Sequence, residues 1–325
     1  MNIEMAENQT IGFKIKKQLL GGLGIFVGLF LLLTIFSMLS SVFFTSGNLQ
    51  NILIQSATNA IIAAGMTFVI IAGEIDLSVG SILALTSIVS AEIMLSTGSL
   101  LLGIIVALVL GTILGALNGL FVAYMGFPAF IVTLATMWLF RGSAYVLSDG
   151  QAIVGLPEGL RVLSSGSFLM IPNIVWVMII TYVLCYILLA KLTIGRKIYA
   201  TGDNQESARL SGINVKAIKI LVFSLSGFLT SVAGVVLMAR LNSAQPVAGT
   251  SFELTAIAAA VIGGTSLTKG GVGGIVGTLV GAVFIASLLN GLVVINVSAF
   301  WQQVIMGIVI LVAVGIDKYR KKFSM

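Results

Sequence analysis

Few side chains in this sequence could make or break a covalent bond. It has no histidine, and its one cysteine, Cys185, lies inside an apolar run. Histidine-dependent nucleophiles, histidine general bases and histidine-ligated zinc are therefore excluded. One cysteine can form neither an intrachain disulfide nor a cysteine-rich metal site. The stretch Gly263-Gly264-Thr265-Ser266-Leu267-Thr268-Lys269 approaches a phosphate-binding loop but lacks its Gly-x-x-x-x-Gly-Lys-Ser/Thr spacing, so the chain has no such loop to hydrolyse ATP. What remains are scattered acids and amides among apolar residues. Glu74, Asp76 and Ser78 stand in Gly73-Glu74-Ile75-Asp76-Leu77-Ser78-Val79-Gly80-Ser81, with Asn59, Glu92, Asn118 and Asn290 elsewhere. A carboxylate at the centre of a membrane helix costs about 2.5–3.5 kcal/mol, so an acid there needs a reason. Asn59, Asp76, Ser78, Asn118 and Asn290 are the pathway candidates. A membrane asparagine can also simply bond a neighbouring helix. No paired acids at helical spacing fall within a span, which argues against a membrane enzyme. No metal ligand set and no cofactor site is expected.

The elements that position these residues follow from composition. Of 325 residues 58% are hydrophobic and 9% charged, against roughly 25% charged in an average soluble protein. Such a chain exceeds what a soluble interior can hide. A span needs about 20 mostly apolar residues. Ten candidates occur, at 21–43, 51–72, 78–96, 100–122, 128–147, 171–190, 217–239, 253–267, 271–292 and 298–315. The eighth is the shortest. The first follows a basic cluster, is too long for a signal h-region and is expected to stay uncleaved. The fold class is thus an all-α polytopic membrane protein, a single domain over 1–325. With residues 1–20 in the cytoplasm, Lys14, Lys16, Lys17, the basic residues of 191–216, Lys219, Lys269 and the cluster Lys318, Arg320, Lys321, Lys322 all fall inside. Only Arg141, Arg161 and Arg240 fall outside, where Arg141 could snorkel. This asymmetry predicts both termini in the cytoplasm. The basic excess is then a topology signal, not one of nucleic-acid binding. Two polar segments are long enough to meet partners: 148–170 outside and 191–216 inside.

The spans also repeat. Gly111-Thr112-Ile113-Leu114-Gly115-Ala116 matches Gly277-Thr278-Leu279-Val280-Gly281-Ala282. Ala64-Gly65 matches Ala233-Gly234, Ala129-Phe130 matches Ala299-Phe300, and Asp76-Leu77-Ser78 answers Glu253-Leu254-Thr255. Spans two to five therefore resemble spans seven to ten. An offset of five spans inverts one half against the other, a pattern of transporters with the pathway at the repeat interface. Gly111, Gly115 and Gly119, and Gly273, Gly277 and Gly281, read as packing faces. The Gly73–Ser81 stretch reads either as a solvated loop or as a broken helix.

The segment from Gly195-Arg196-Lys197-Ile198-Tyr199-Ala200-Thr201-Gly202 through Asp203-Asn204-Gln205-Glu206-Ser207-Ala208-Arg209-Leu210-Ser211-Gly212 predicts a short helix. Asp203 and Glu206 suit a capping box and Gly212 a stop. Two turns alone are marginal in water, so the helix needs a docking partner. With Gly73–Ser81, Ser243-Ala244-Gln245-Pro246-Val247-Ala248-Gly249 and Gly263-Gly264-Thr265-Ser266-Leu267, this segment resembles the coupling loop of ABC sugar importer permeases, closest to ribose-type members. The likeness runs from about Asn48 to the C-terminus. It implies a permease subunit in a bacterial inner membrane, importing ribose or a similar sugar. It implies a second permease subunit, in a homodimer or heterodimer, two ATP-binding cassettes, and an extracytoplasmic sugar-binding protein. It implies that Asp203, Asn204, Glu206, Arg209, Leu210 and Gly212 meet the ATPase. An ion-coupled secondary transporter is the alternative reading.

Overall fold

A computed structural model describes residues 24–322. Lys14, Lys16 and Lys17 and the start of the first predicted span lie outside the described residues. Within them the chain is almost wholly helical: α1 (Gly24–Leu39), α2 (Ser46–Ile71), α3 (Val79–Thr97), α4 (Leu100–Tyr124) and α5 (Ala129–Leu147). A lobe follows, with β1 (Ile153–Val154), a 3-10 turn (Glu158–Leu160), α6 (Arg161–Ser165), β2 (Ser167–Phe168) and β3 (Ile171–Pro172). Then come α7 (Asn173–Tyr186), a π-helical turn (Ile187–Lys191), α8 (Thr193–Asp203), α9 (Gln205–Leu210) and α10 (Val215–Leu241). The strand β4 (Ser243–Ala244), α11 (Phe252–Ile262), α12 (Ile275–Val294) and α13 (Ala299–Lys322) complete the order.

Hydroxyls and amides set the helix starts. Thr45, Ser99 and Asn214 accept the backbone N–H groups of Asn48, Leu102 and Ala217, so each cap satisfies one orphan donor. Pro128 and Pro172 precede α5 and α7 with φ preset for a turn into helix.

Among the described residues, eight helices are long and apolar enough to cross a membrane. The predicted eighth span, 253–267, does not form as a full span. Only Phe252–Ile262 is helical, and 11 residues rise about 16 Å, half the thickness of the hydrocarbon core. The rest of 253–267 turns back through Gly263 and Gly264, because Gly264 has φ +93° and ends the helix.

Helices α2 and α10 form the buried centre. Helix α10 packs on α4, where a Cβ at Gly115 would meet the Phe223 carbonyl and one at Gly227 the Gly111 carbonyl. Helix α2 packs on α12, joined by the Thr67 and Thr278 hydroxyls at 2.7 Å. The packing partners thus exchange between the two sets of repeat-matched helices. The glycine faces do not exchange in the same way. Gly111 and Gly115 meet α10, whereas Gly277 and Gly281 meet Gly263 and Ala259 beside and within α11. The hexapeptide match therefore serves two different packing partners. Helices α4, α5 and α13 carry the apolar outer surface, with Trp138, Phe300 and Trp301 exposed on it.

Candidate functional site

The pathway candidates separate into three places. The first is the break between α2 and α3. Gly73 has φ +85°, which terminates α2, and α3 begins only after Ser78. Asp76 lies between them, fully buried. Its Oδ1 accepts the Ser78 N–H at 2.9 Å and the Ser78 hydroxyl at 2.6 Å. Its Oδ2 accepts the Ser226 hydroxyl of α10 at 3.1 Å. Asn118 of α4 donates Nδ2 to the Ser78 hydroxyl at 2.8 Å. Thr133 of α5 donates to the Ile75 carbonyl at 3.3 Å. Three elements, α4, α5 and α10, therefore meet on the segment that joins α2 to α3. A buried carboxylate is stable only when several donors surround it, and here three do. The arrangement is neither a solvated loop nor an open polar wall: it is a buried connection between two spans, closed by hydrogen bonds. Asn118 Oδ1 is the one atom of the group left buried without a partner. Glu74 points elsewhere, into a 2.6 Å ion pair with Lys219 of α10.

The second place lies where the break meets the turn before α11. Gly80 and Gly249 touch so closely that a Cβ on either would strike the other's backbone, and a Cβ on Gly80 would also strike the Glu253 carboxylate. Asn59 of α2 accepts the Thr255 hydroxyl at 3.4 Å, a long bond. Arg141 does not snorkel. Its Nη1 donates to the Pro246 and Ala248 carbonyls at 2.6 and 2.5 Å, clamping the turn onto α5. The third place is Asn290 of α12, which accepts Asn48 Nδ2 at 2.9 Å and so ties α12 to the first turn of α2. Asp76, Ser78 and Asn118 thus come together, while Asn59 and Asn290 stand apart. Glu92 is exposed near the end of α3.

The 191–216 segment forms two helices rather than one. Sequence reading missed α8, whose buried Ile198 and Thr201 alternate with exposed Arg196 and Lys197. Asp203 is not a cap but the last residue of α8, 3.7 Å from Lys269. Asn204 caps α9 instead, accepting the Ser207 N–H at 2.9 Å. Glu206 does not reach back as a capping box requires. It pairs with Arg209 through two bonds of 2.6 and 3.1 Å. The Arg209 hydrogen bond and charge hold the Glu206 carboxyl below its ordinary value. Gly212, at φ +81°, ends α9 as expected: its N–H reaches Arg209 and that of Ile213 reaches Ala208. The result is a two-turn projection with Glu206, Arg209 and Leu210 exposed, Leu210 by 74%.

Ser226, Thr133 and Lys219 were not singled out from the sequence. Ser226 has a readable signal. With Thr230 it places buried hydroxyls four residues apart on one face of α10, a stripe that marks a polar contact inside the bundle.

Eight apolar spans among the described residues, packed around a buried, hydrogen-bonded connection, define a multi-pass membrane protein. The chain belongs to the family described as "Branched-chain amino acid transport system / permease component", whose pattern matches residues 48–314. Curated relatives include a ribose import permease of Haemophilus influenzae, 45% identical over 97% of this chain and 98% of the relative. A ribose import permease of Bacillus subtilis is 48% identical over 91% and 92% of the two chains. A D-allose transport system permease of Escherichia coli is 39% identical over 92% of each. No solved structure matches the chain.

Proposed function

We propose that this protein is the transmembrane permease subunit of an ATP-binding-cassette importer for a monosaccharide, ribose before others. The observation that carries the reading is identity of 45% and 48% to two ribose import permeases along more than nine-tenths of the chain. The family description names amino acids, but the three relatives above are named for sugars. The protein lies in the bacterial inner membrane with both termini in the cytoplasm, an orientation that the distribution of basic residues supports.

ATP is hydrolysed by two cassettes on a partner. Asp203, Asn204, Glu206, Arg209, Leu210 and Gly212 form the contact with it, the exposed Leu210 entering the partner and the Glu206–Arg209 pair fixing register. A second permease subunit completes the membrane unit. The sugar-binding protein docks on the outer lobe of 148–170, which is joined to the turn after α10 through the pairing of Ile153 with Ala244 and Val154 with Ser243. Asp76, Ser78 and Asn118 flank the path, and the Asp76 bonds are broken and remade as α3 and α10 move. The test is competition. Reconstituted with cassette and binding protein, the chain imports labelled ribose, and excess unlabelled ribose suppresses uptake more than excess allose. Equal suppression by both sugars, or none by ribose, contradicts the assignment.

A further inference from the structure

Helix α8 holds two glycines, Gly195 in its first turn and Gly202 in its last, where a helix would favour other residues. Gly202 sits in the last turn, where alanine is favoured by about 1 kcal/mol. The reason lies outside the helix. A Cβ on Gly202 would strike the Ile71 carbonyl at the end of α2 and the Gly271 backbone nitrogen. These are main-chain atoms that no rotamer change can move aside. The Gly271 N–H donates to that same Ile71 carbonyl at 2.8 Å. Cβ atoms on Gly270 and Gly271 would in turn strike Gly202 and Asp203. Three stretches of backbone thus meet at one point: the end of α2, the end of α8 and the 263–274 turn. Two further ties hold them. The Tyr199 hydroxyl donates to the Gly273 carbonyl at 2.8 Å, and Lys269 lies 3.7 Å from Asp203.

The position of this joint matters. Asn204 alone separates α8 from α9, so the two move as a unit. One step past Ile71 the chain enters the break that holds Asp76, and Gly73 stands over Gly202. Past residue 274 it enters α12. Contact between backbones has no compliant side chain to absorb a displacement. We propose that Gly202 is a positioning residue for transport: through it, movement of α9 is delivered at once to α2 and its Asp76 break in the first set of repeated helices and to the α11–α12 turn in the second. The proposal rests on the importer reading given above and adds to it the route by which the ATPase side reaches the membrane helices.

The test compares sugar imported per ATP hydrolysed in proteoliposomes holding the full complex. Wild-type protein that shows no ATP-driven import overturns the importer reading itself, before any variant is compared. With import established, Gly202→Ala is expected to retain cassette binding and ATP hydrolysis within about twofold while sugar per ATP falls about tenfold. An unchanged ratio overturns the proposal, because a Cβ that perturbs folding alone would lower both rates together. Should Gly202→Ala fail to assemble, Tyr199→Phe decides. It removes only the bond to the Gly273 carbonyl, and the ratio is expected to fall about two- to threefold. No change in that variant overturns the proposal.

Discussion

The Asp76 carboxylate accepts three hydrogen bonds, two from Ser78 and one from Ser226, with no exposure to solvent. Removing it leaves buried donors without an acceptor, which costs about 2–4 kcal/mol in total. Asp76→Ala is therefore expected to lower the unfolding temperature of the detergent-solubilised protein, and Asp76→Asn to lower it less. An alanine variant as stable as wild type would show that the carboxylate is not a brace. The exposed pair Glu206–Arg209 makes a different prediction. Arg209 depresses the Glu206 pKa, so the pair is complete above the ordinary carboxylate value and is lost only as pH falls through the lower folded value. Carbon-13 titration of the Glu206 carboxyl should show a midpoint below 4.5, and Arg209→Ala should move it up. A midpoint that ignores Arg209 would mean the pair does not form in solution. At this scale the sequence was partly legible. Gly212 was readable as a stop because a left-handed position selects glycine. The cap was placed one residue early because Asp203 and Asn204 are equally good caps, and only the length of α8 decides between them. The bond from Ser226 to Asp76 spans 150 residues, a pairing that one sequence does not encode locally.

Helix packing sets the next scale. Gly115 lies against the Phe223 backbone, whereas a Cβ on Gly142 would meet nothing within 4 Å. Gly115→Ala is expected to destabilise by about 1–3 kcal/mol through overpacking. Gly142→Ala should be neutral or slightly stabilising, since alanine is the better helix former. Thermal unfolding of the two variants in one detergent checks this, and equal shifts would contradict the packing assigned to the α4–α10 contact. The long spans were legible because hydrophobic runs of bilayer length have few other uses. Helix α11 was overextended because the apolar run continues past Ile262, while the left-handed Gly264 ends the helix. Helix α8 was missed because its amphipathic pattern is short and polar, and its buried face is made by contact with α2 and the 263–274 turn. Those contacts come from parts of the chain distant in sequence.

For the molecule as a whole, composition excludes histidine chemistry and spacing excludes a phosphate-binding loop, which supports the proposal that a partner supplies the energy for transport. In the proposed orientation α8 and α9 lie on the cytoplasmic side. A cysteine at position 210, in the protein with Cys185 replaced by serine, should react with a membrane-impermeant maleimide in inside-out vesicles and be protected when cassettes bind. Labelling confined to right-side-out vesicles would reverse the orientation. The central claim is that this chain supplies a path and a partner supplies the work. Its most direct test is uptake of labelled ribose into proteoliposomes containing this chain, the cassette protein and the binding protein. The account predicts uptake that needs all three and ATP, and that an ion gradient alone does not support. Ribose uptake by this chain alone, driven by an ion gradient, would contradict it.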